Sequence, residues 1–215
     1  MQNNRSNPKN LLSESRLVKV IGTQRIVVLT SVIILYAVFC IMSPSFRKYA
    51  TFISILDASY YIALMAIGET FCLISGGVDL SVGTGMICYA LVGGFLIVRQ
   101  GSMVGVGMLV CVLMGIGFGI FNGLLVAVMD LPPFIATLCT MMITRGLGSI
   151  MSHVLAIAWP ANGSPDAWFR KIWNVDIGNV RIPVGLGVII LLVIIMSVIL
   201  RKTKTGRYII AIGSN

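Results

Sequence analysis

Charge is scarce in this sequence of 215 residues, and acid is scarcest, with seven aspartates and glutamates and one histidine against sixteen lysines and arginines. So few proton-transfer groups leave little for enzymatic chemistry. No HExxH or GxSxG stretch occurs and no nucleophile stands beside a base, so an intramembrane enzyme is poorly supported. The GxxxxGK[ST] phosphate loop is absent too, so the chain shows no nucleotide-binding motif of that kind. The five cysteines, Cys40, Cys72, Cys88, Cys111 and Cys139, form no CxxC pair and have no histidine cluster beside them. Disulfide and metal sites are therefore not expected, and no cofactor motif is visible. The formal net charge of +9 raises nucleic acid as a partner. The basic residues, however, sit in short clusters flanking apolar runs, not on an aromatic-studded polar face, so nucleic acid is excluded.

What the sequence has in abundance is apolar surface. Hydrophobic residues make up 57%, charged residues only 11%, and the mean hydropathy is +0.97, too apolar for a soluble domain. Six apolar runs succeed one another: Ile26 to Met42, Phe52 to Ser75, Leu80 to Val98, Met103 to Met129, Phe134 to Ala158 and Ile182 to Leu200. Each approaches the roughly 17 to 25 residues needed to cross hydrocarbon. The expectation is an all-α, polytopic transmembrane helix bundle of about six spanning segments, lying in the bilayer over residues 26–200. Residues 1–25 precede it as a basic segment of cytoplasmic or interfacial character without a cleavable signal, so the first run stays as an anchor.

The basic residues orient the runs. Arg5, Lys9, Arg16, Lys19 and Arg25 precede the first, and Arg201, Lys202, Lys204 and Arg207 come after the sixth. An even number of crossings puts both clusters on one side, with the six basic residues Arg47, Lys48, Arg99, Arg170, Lys171 and Arg181 on the other. The positive-inside rule makes the nine-residue side, and hence the N-terminus, cytoplasmic. The connection from Trp159 to Arg181, with Trp159, Trp168 and Trp173, then lies outside at headgroup level.

Polar residues inside apolar runs are the functional candidates. The stretch Ile74 to Gly85 breaks on Gly76 and Gly77, which can take backbone angles closed to other residues. Asp79 or Ser81 can then accept from free N–H groups opening the next helix. The plainer alternative is a tight, capped turn between two membrane helices. Glu69, deep in the second run, is either a substrate or gating contact or a buried carboxylate bonded to a neighbouring helix. Asn122 needs a partner inside protein. Gly115, Gly119 and Gly123 recur every four residues, a spacing expected to make a helix-packing face. Arg145 and His153 lie at similar helical phase and either line a path or tie helices together, with Glu69 and Asp130 as candidate partners for Arg145.

Three motifs in order carry a resemblance: SGGVDLSVG, then GIFNGLLVAVMDLPPFIATLCTMMITRGL, then RKTKTGRYIIAIGSN. They resemble the membrane permease subunits of ribose-type carbohydrate importers of the ATP-binding-cassette (ABC) class. The likeness runs from about Ile26 to Asn215, with Ala136 where Val is common and Cys139 where Gly is usual. It implies transport of a monosaccharide or similar polar solute across the bacterial cytoplasmic membrane. It also implies a cytoplasmic ABC ATPase, a periplasmic or lipid-anchored solute-binding protein, and a second permease copy or paralogue. Residues 201–215, with Thr205, Gly206 and Arg207, would lead to the ATPase contact. Family permeases continue past this point, so the expectation is that this chain covers the N-terminal part of one, as a fragment or a truncated gene. The alternative from another class is an ion- or proton-coupled secondary transporter, with Glu69, Arg145 and His153 as relay and the glycine break as a discontinuous helix.

Overall fold

The computed structural model describes residues 22–214 except 162 and 179. The N-terminal basic segment expected over 1–25 therefore lies, up to residue 21, outside the described residues. Among the described residues seven α-helices occur in order: α1 Thr23–Met42, α2 Tyr49–Ile74, α3 Val82–Gln100, α4 Val104–Ala127, α5 Pro133–Ser152, α6 Val184–Lys202 and α7 Lys204–Gly213. The first six are each long and apolar enough to cross a membrane, so the fold is all-α and polytopic. Two short 3-10 segments, Pro44–Arg47 and Pro165–Ile172, and one hairpin complete the regular structure of the described residues. In the hairpin, β1 Val175–Ile177 runs antiparallel to β2 Val180–Ile182, with Val175 opposite Ile182 and Ile177 opposite Val180.

Two helix ends depart from the apolar runs. The fifth run was expected to continue to Ala158, but α5 stops at Ser152 because His153 and Val154 turn to φ 51° and 61°. Their N–H groups then bond back to the carbonyls of Ile150 and Ser149, closing the helix end. The sixth run was expected from Ile182, but that residue pairs in β2, and Pro183 holds the position before α6.

The chain divides into two compact units, residues 1–55 and 56–215. In the first, Ser43 ends α1 and the chain doubles back. Phe39 and Phe46 stack with centroids 5.1 Å apart, the Tyr36 hydroxyl donates to the Phe46 carbonyl at 3.1 Å, and Arg47 Nε donates to the Cys40 carbonyl at 2.6 Å. In the second, α3 packs against both α4 and α5, and α6 packs against α7.

The α3–α4 contact depends on missing side chains. A Cβ at Gly93 would stand 2.8 Å from the Gly107 carbonyl oxygen and 2.6 Å from Cys111 Sγ, and one at Gly107 would stand 2.9 Å from the Gly93 carbonyl oxygen. Only backbones this bare can approach so closely. The same economy joins α5 to α3, where a Cβ at Gly148 would lie 3.3 Å from Cys88 Cα. The packing face expected at Gly115, Gly119 and Gly123 is different. A Cβ at Gly115 would meet Tyr89 at 3.6 Å, and at Gly119 or Gly123 it would meet nothing within 4 Å. Within this chain those glycines leave space, and the close approach is made one to two turns earlier on α4.

Gly93→Ala should therefore lower the free energy of unfolding in mixed micelles by roughly 1–3 kcal/mol through overpacking. Gly119→Ala should stay within about 0.5 kcal/mol of the parent. Equal losses at the two positions would show that the α3–α4 contact is not set by Gly93.

Candidate functional site

Helix α2 ends at Ile74 in a turn that the two glycines build in different ways. Gly76 takes φ 84°, its N–H donates to the Leu73 carbonyl at 3.1 Å, and the Gly77 N–H donates to the Cys72 carbonyl at 3.0 Å. These paired bonds make a Schellman motif, which satisfies carbonyls that the helix would leave orphaned. Both glycines were expected to supply unusual angles, but only Gly76 does so. Gly77 is instead a close-approach position, where a Cβ would sit 3.4 Å from the ring of Pro133.

Beyond the glycines, Asp79 Oδ1 accepts from the Ser81 N–H at 2.8 Å and from the Ser81 hydroxyl at 2.6 Å. This is an Asx turn placed just before α3. Ser81 stands at the N-cap position but makes no side-chain cap bond of its own: its backbone is already helical, at φ −81° and ψ −16°, and its hydroxyl is turned to Asp79. The Asp79 N–H in turn donates to Glu69 Oε1 at 3.1 Å, so a carboxylate on α2 holds the break across ten residues. The second oxygen, Glu69 Oε2, is buried and has no hydrogen-bond partner.

From Ser81 the bonding continues onto two more helices. Asn122 Nδ2 on α4 donates to Ser81 Oγ at 3.1 Å, and the Thr140 hydroxyl on α5 donates to Asn122 Oδ1. Asn122 is 7% exposed and Thr140 is fully buried, so neither amide nor hydroxyl has water as an alternative. Thr137 sits one turn before Thr140 with its hydroxyl within reach of the Val78 carbonyl in the break at 3.2 Å. Thr144 meets Thr84 on α3 at 2.9 Å. Thr137, Thr140 and Thr144 are spaced three and four residues apart, so all three face one side of α5. Polarity within the run marks them only collectively, although that spacing of hydroxyls in an apolar helix is a usable signal for a buried polar face.

Beside this chain of bonds lies a cavity of about 420 Å³, within the usual range for small-molecule sites. Asp79, Ser81 and Asn122 give it a polar end, and the stacked pair Tyr89 and Phe118, centroids 5.7 Å apart, with Met65 and Met86 give it an apolar wall. Gly115 and Gly119 line it as well, which accounts for the open space over them.

The other candidates fall elsewhere. Arg145 is exposed on α5 and makes no ion pair with Glu69 or Asp130. It lies one residue past Thr144 and so points off the threonine face. His153 is exposed at the end of α5, and Asp130 is exposed with φ 53°. On α7, Thr203 caps the helix by accepting from the Gly206 N–H at 3.1 Å. Thr205 and Arg207 are exposed and Gly206 is buried. At the far end of α7, Gly213 lies so close to the Ile74 carbonyl that a Cβ there would collide with it.

A family model described as "Branched-chain amino acid transport system / permease component" matches residues 51–215. Among curated proteins, a fructose import permease protein of Bifidobacterium longum is 33% identical over 201 residues, covering 89% of this chain and 58% of its own. An inner membrane ABC transporter permease protein of Escherichia coli is 30% identical over 192 residues, covering 86% and 55%. A galactofuranose transporter permease protein of the same organism is 32% identical over 171 residues, covering 79% and 47%. The chain thus spans about half the length of these curated relatives. No solved structure matches it.

The polar chain around the break makes a direct energetic prediction. Thr140→Val keeps the shape of the side chain but leaves Asn122 Oδ1 buried and unpaired, so unfolding free energy should fall by about 1–2 kcal/mol. In a double-mutant cycle with Asn122→Ala, the two losses should couple by at least about 0.5 kcal/mol. Strict additivity would mean that the Asn122–Thr140 bond contributes nothing.

Proposed function

We propose, from the premise that this chain belongs to the permease-component family matched over residues 51–215, that it forms part of the membrane path of an ABC importer for a monosaccharide or similar polar solute. The observation that carries this reading is the cavity at the break, where a polar end of Asp79, Ser81 and Asn122 faces an aromatic wall. Such a lining suits a solute with hydroxyl groups and an apolar ring face better than a branched aliphatic chain. The relatives named for fructose and galactofuranose favour the same solute class. In this reading Asp79, Ser81 and Asn122 contact the solute or shape its passage, Glu69 holds the break in place, and the chain itself is a transport subunit and not an enzyme.

The same reading supplies the partners. A cytoplasmic ABC ATPase provides the energy, an exported solute-binding protein delivers the solute, and a second permease copy or paralogue completes the path. The TGR stretch at Thr205, Gly206 and Arg207 lies toward the ATPase. This requires the basic termini to be in the cytoplasm and the tryptophan-rich connection to be outside, in the bacterial cytoplasmic membrane. Arg145 and His153, both exposed and without an ion pair to Glu69 among the described residues, give the proton-relay alternative little support.

Two measurements test the reading. Membrane vesicles carrying the chain together with its ATPase and binding protein should take up labelled D-fructose, D-galactose or D-ribose only when ATP is supplied, and a protonophore should leave uptake intact. Uptake that persists without ATP and collapses with the protonophore overturns the importer reading. Separately, in a background without native cysteines, Asp166→Cys should react with an impermeant maleimide from outside and Lys204→Cys only from inside, and the reverse pattern overturns the orientation.

Within the uptake assay Asp79 has its own expectation. Asp79→Asn keeps an oxygen acceptor for Ser81, so abundance and uptake should stay within a few-fold of the parent, the lost charge costing about 0.3–1 kcal/mol. Asp79→Leu removes the acceptor, and both should fall together. Normal abundance with abolished uptake in Asp79→Asn would show that the charge itself takes part in transport.

A further inference from the structure

A second and larger cavity, of about 810 Å³, is lined by the middle of α2, ahead of the break in the chain. Asp57, Tyr60, Tyr61 and Leu64 line it from one stripe of α2, at spacings of three and four residues that put them on the same face. Its opposite wall comes from the connection between Gly163 and Asn174 and from Arg181 on β2. The α2 residue that lines the cavity near the break is Met65, next in sequence to Leu64 of the larger one.

The larger cavity is a built site. Asn174 Nδ2 donates to Asp57 Oδ1 at 2.9 Å, and Arg181 Nη1 stands 3.9 Å from Asp57 Oδ2. Trp173 stacks on Tyr60 with centroids 5.6 Å apart and is tied down where its carbonyl accepts from the Gly185 N–H at 2.7 Å. A carboxylate between an amide and a guanidinium is thus presented beside aromatic rings, of which Tyr61 and Trp168 are about half exposed, at 47% and 52%. Two further polar atoms of the lining, Tyr60 Oη and Asn174 Oδ1, are buried without a hydrogen-bond partner.

We infer that this cavity is a saccharide subsite, separate from the one at the break and preceding it along α2. The inference rests on the importer reading for its substrate class. A sugar ring offers a face of C–H groups that packs on an aromatic ring and a rim of hydroxyls that both donate and accept. Tyr61 and Trp168 supply the ring surface. Asp57 and the unpartnered Asn174 Oδ1 accept from hydroxyls, while Arg181 donates to hydroxyl or ring oxygens. An aliphatic amino acid fits less well. Its two charges would have to separate Asp57 from Arg181, and its side chain would find aromatic edges where it needs an aliphatic pocket.

All three tryptophans of the chain, Trp159, Trp168 and Trp173, lie in or beside this connection, so intrinsic fluorescence reports on it. The purified full chain should show a saturable fluorescence change with at least one of D-fructose, D-ribose and D-galactose, and none with L-leucine. Asp57→Asn and Tyr61→Ala should each raise the half-saturation concentration about tenfold or more. Tyr61 is exposed to the cavity, so its truncation leaves packing intact if Asp57→Asn misfolds. Saturable sugar binding unchanged in Tyr61→Ala, a saturable response to L-leucine, or no response to any of the sugars would each overturn the inference. In the vesicle assay Tyr61→Ala should raise KM with little change in the maximal rate, and an unchanged KM beside normal uptake overturns the subsite alone. Absence of ATP-driven sugar uptake in the parent instead overturns the importer reading.

Discussion

Asp79 Oδ1 accepts from both the N–H and the hydroxyl of Ser81, and that one-sidedness organises the residues around the break. Asp79 takes the Ser81 proton, which leaves Ser81 Oγ as an acceptor. An acceptor there obliges Asn122 to turn its amide nitrogen toward Ser81, and the amide oxygen then faces Thr140. Three helices and an irregular connection are oriented by a single side chain. The requirement is severe because irregular backbone in a membrane protein has to be satisfied within the protein. Val78 and Asp79, outside any helix, find Thr137 and Glu69 for this purpose.

Glycine serves opposite ends in the helices around this centre. At Gly93 and Gly107 the missing side chain lets backbones touch, and the contact holds α4 against α3. One turn or more along α4, at Gly115 and Gly119, the missing side chain keeps the helices from filling the space between them. The result is a cavity bounded on one side where Cys111 Sγ–H reaches the Tyr89 carbonyl at 3.0 Å and on another where Asn122 reaches Ser81. The polar residues of the break line that second side. A rigid contact and a cavity thus come from the same residue type on a single helix, and what distinguishes them is the position of Tyr89 and Ile97 on the facing helix.

The six apolar helices were legible in the sequence because hydrocarbon demands long, predominantly apolar runs, and nothing else in the chain satisfies that demand. Glu69, Asp79, Ser81 and Asn122 were legible one by one, as polar groups in apolar surroundings, and the structure brings these four into one bonded chain. The pattern could not say which of two adjacent glycines takes the left-handed angle, since that depends on where α2 stops. It also could not separate contact from cavity at glycines spaced by four, which is decided by the partner helix. The hairpin at Val175–Ile182 is hidden by the polar composition of its connection, although apolar residues alternate there about a Gly-Asn pair. Arg145 shares α5 with the threonines but faces away, a difference of one residue in helical phase.

The bonds from Thr140 to Glu69 all run in one direction, each group donating toward the α2 carboxylate. A conductor of protons needs links that can pass one proton on while receiving another, as hydroxyls and waters do. Here the Asn122 link is a carboxamide and the Asp79 link is a peptide N–H, and neither can exchange roles. The polarity is therefore locked, and the row behaves as an aligned dipole whose positive, donating end points at the Glu69 carboxylate on α2, electrically oriented yet closed to Grotthuss hopping. A chain of polar residues through an apolar protein can thus fix geometry without opening a leak for protons across it.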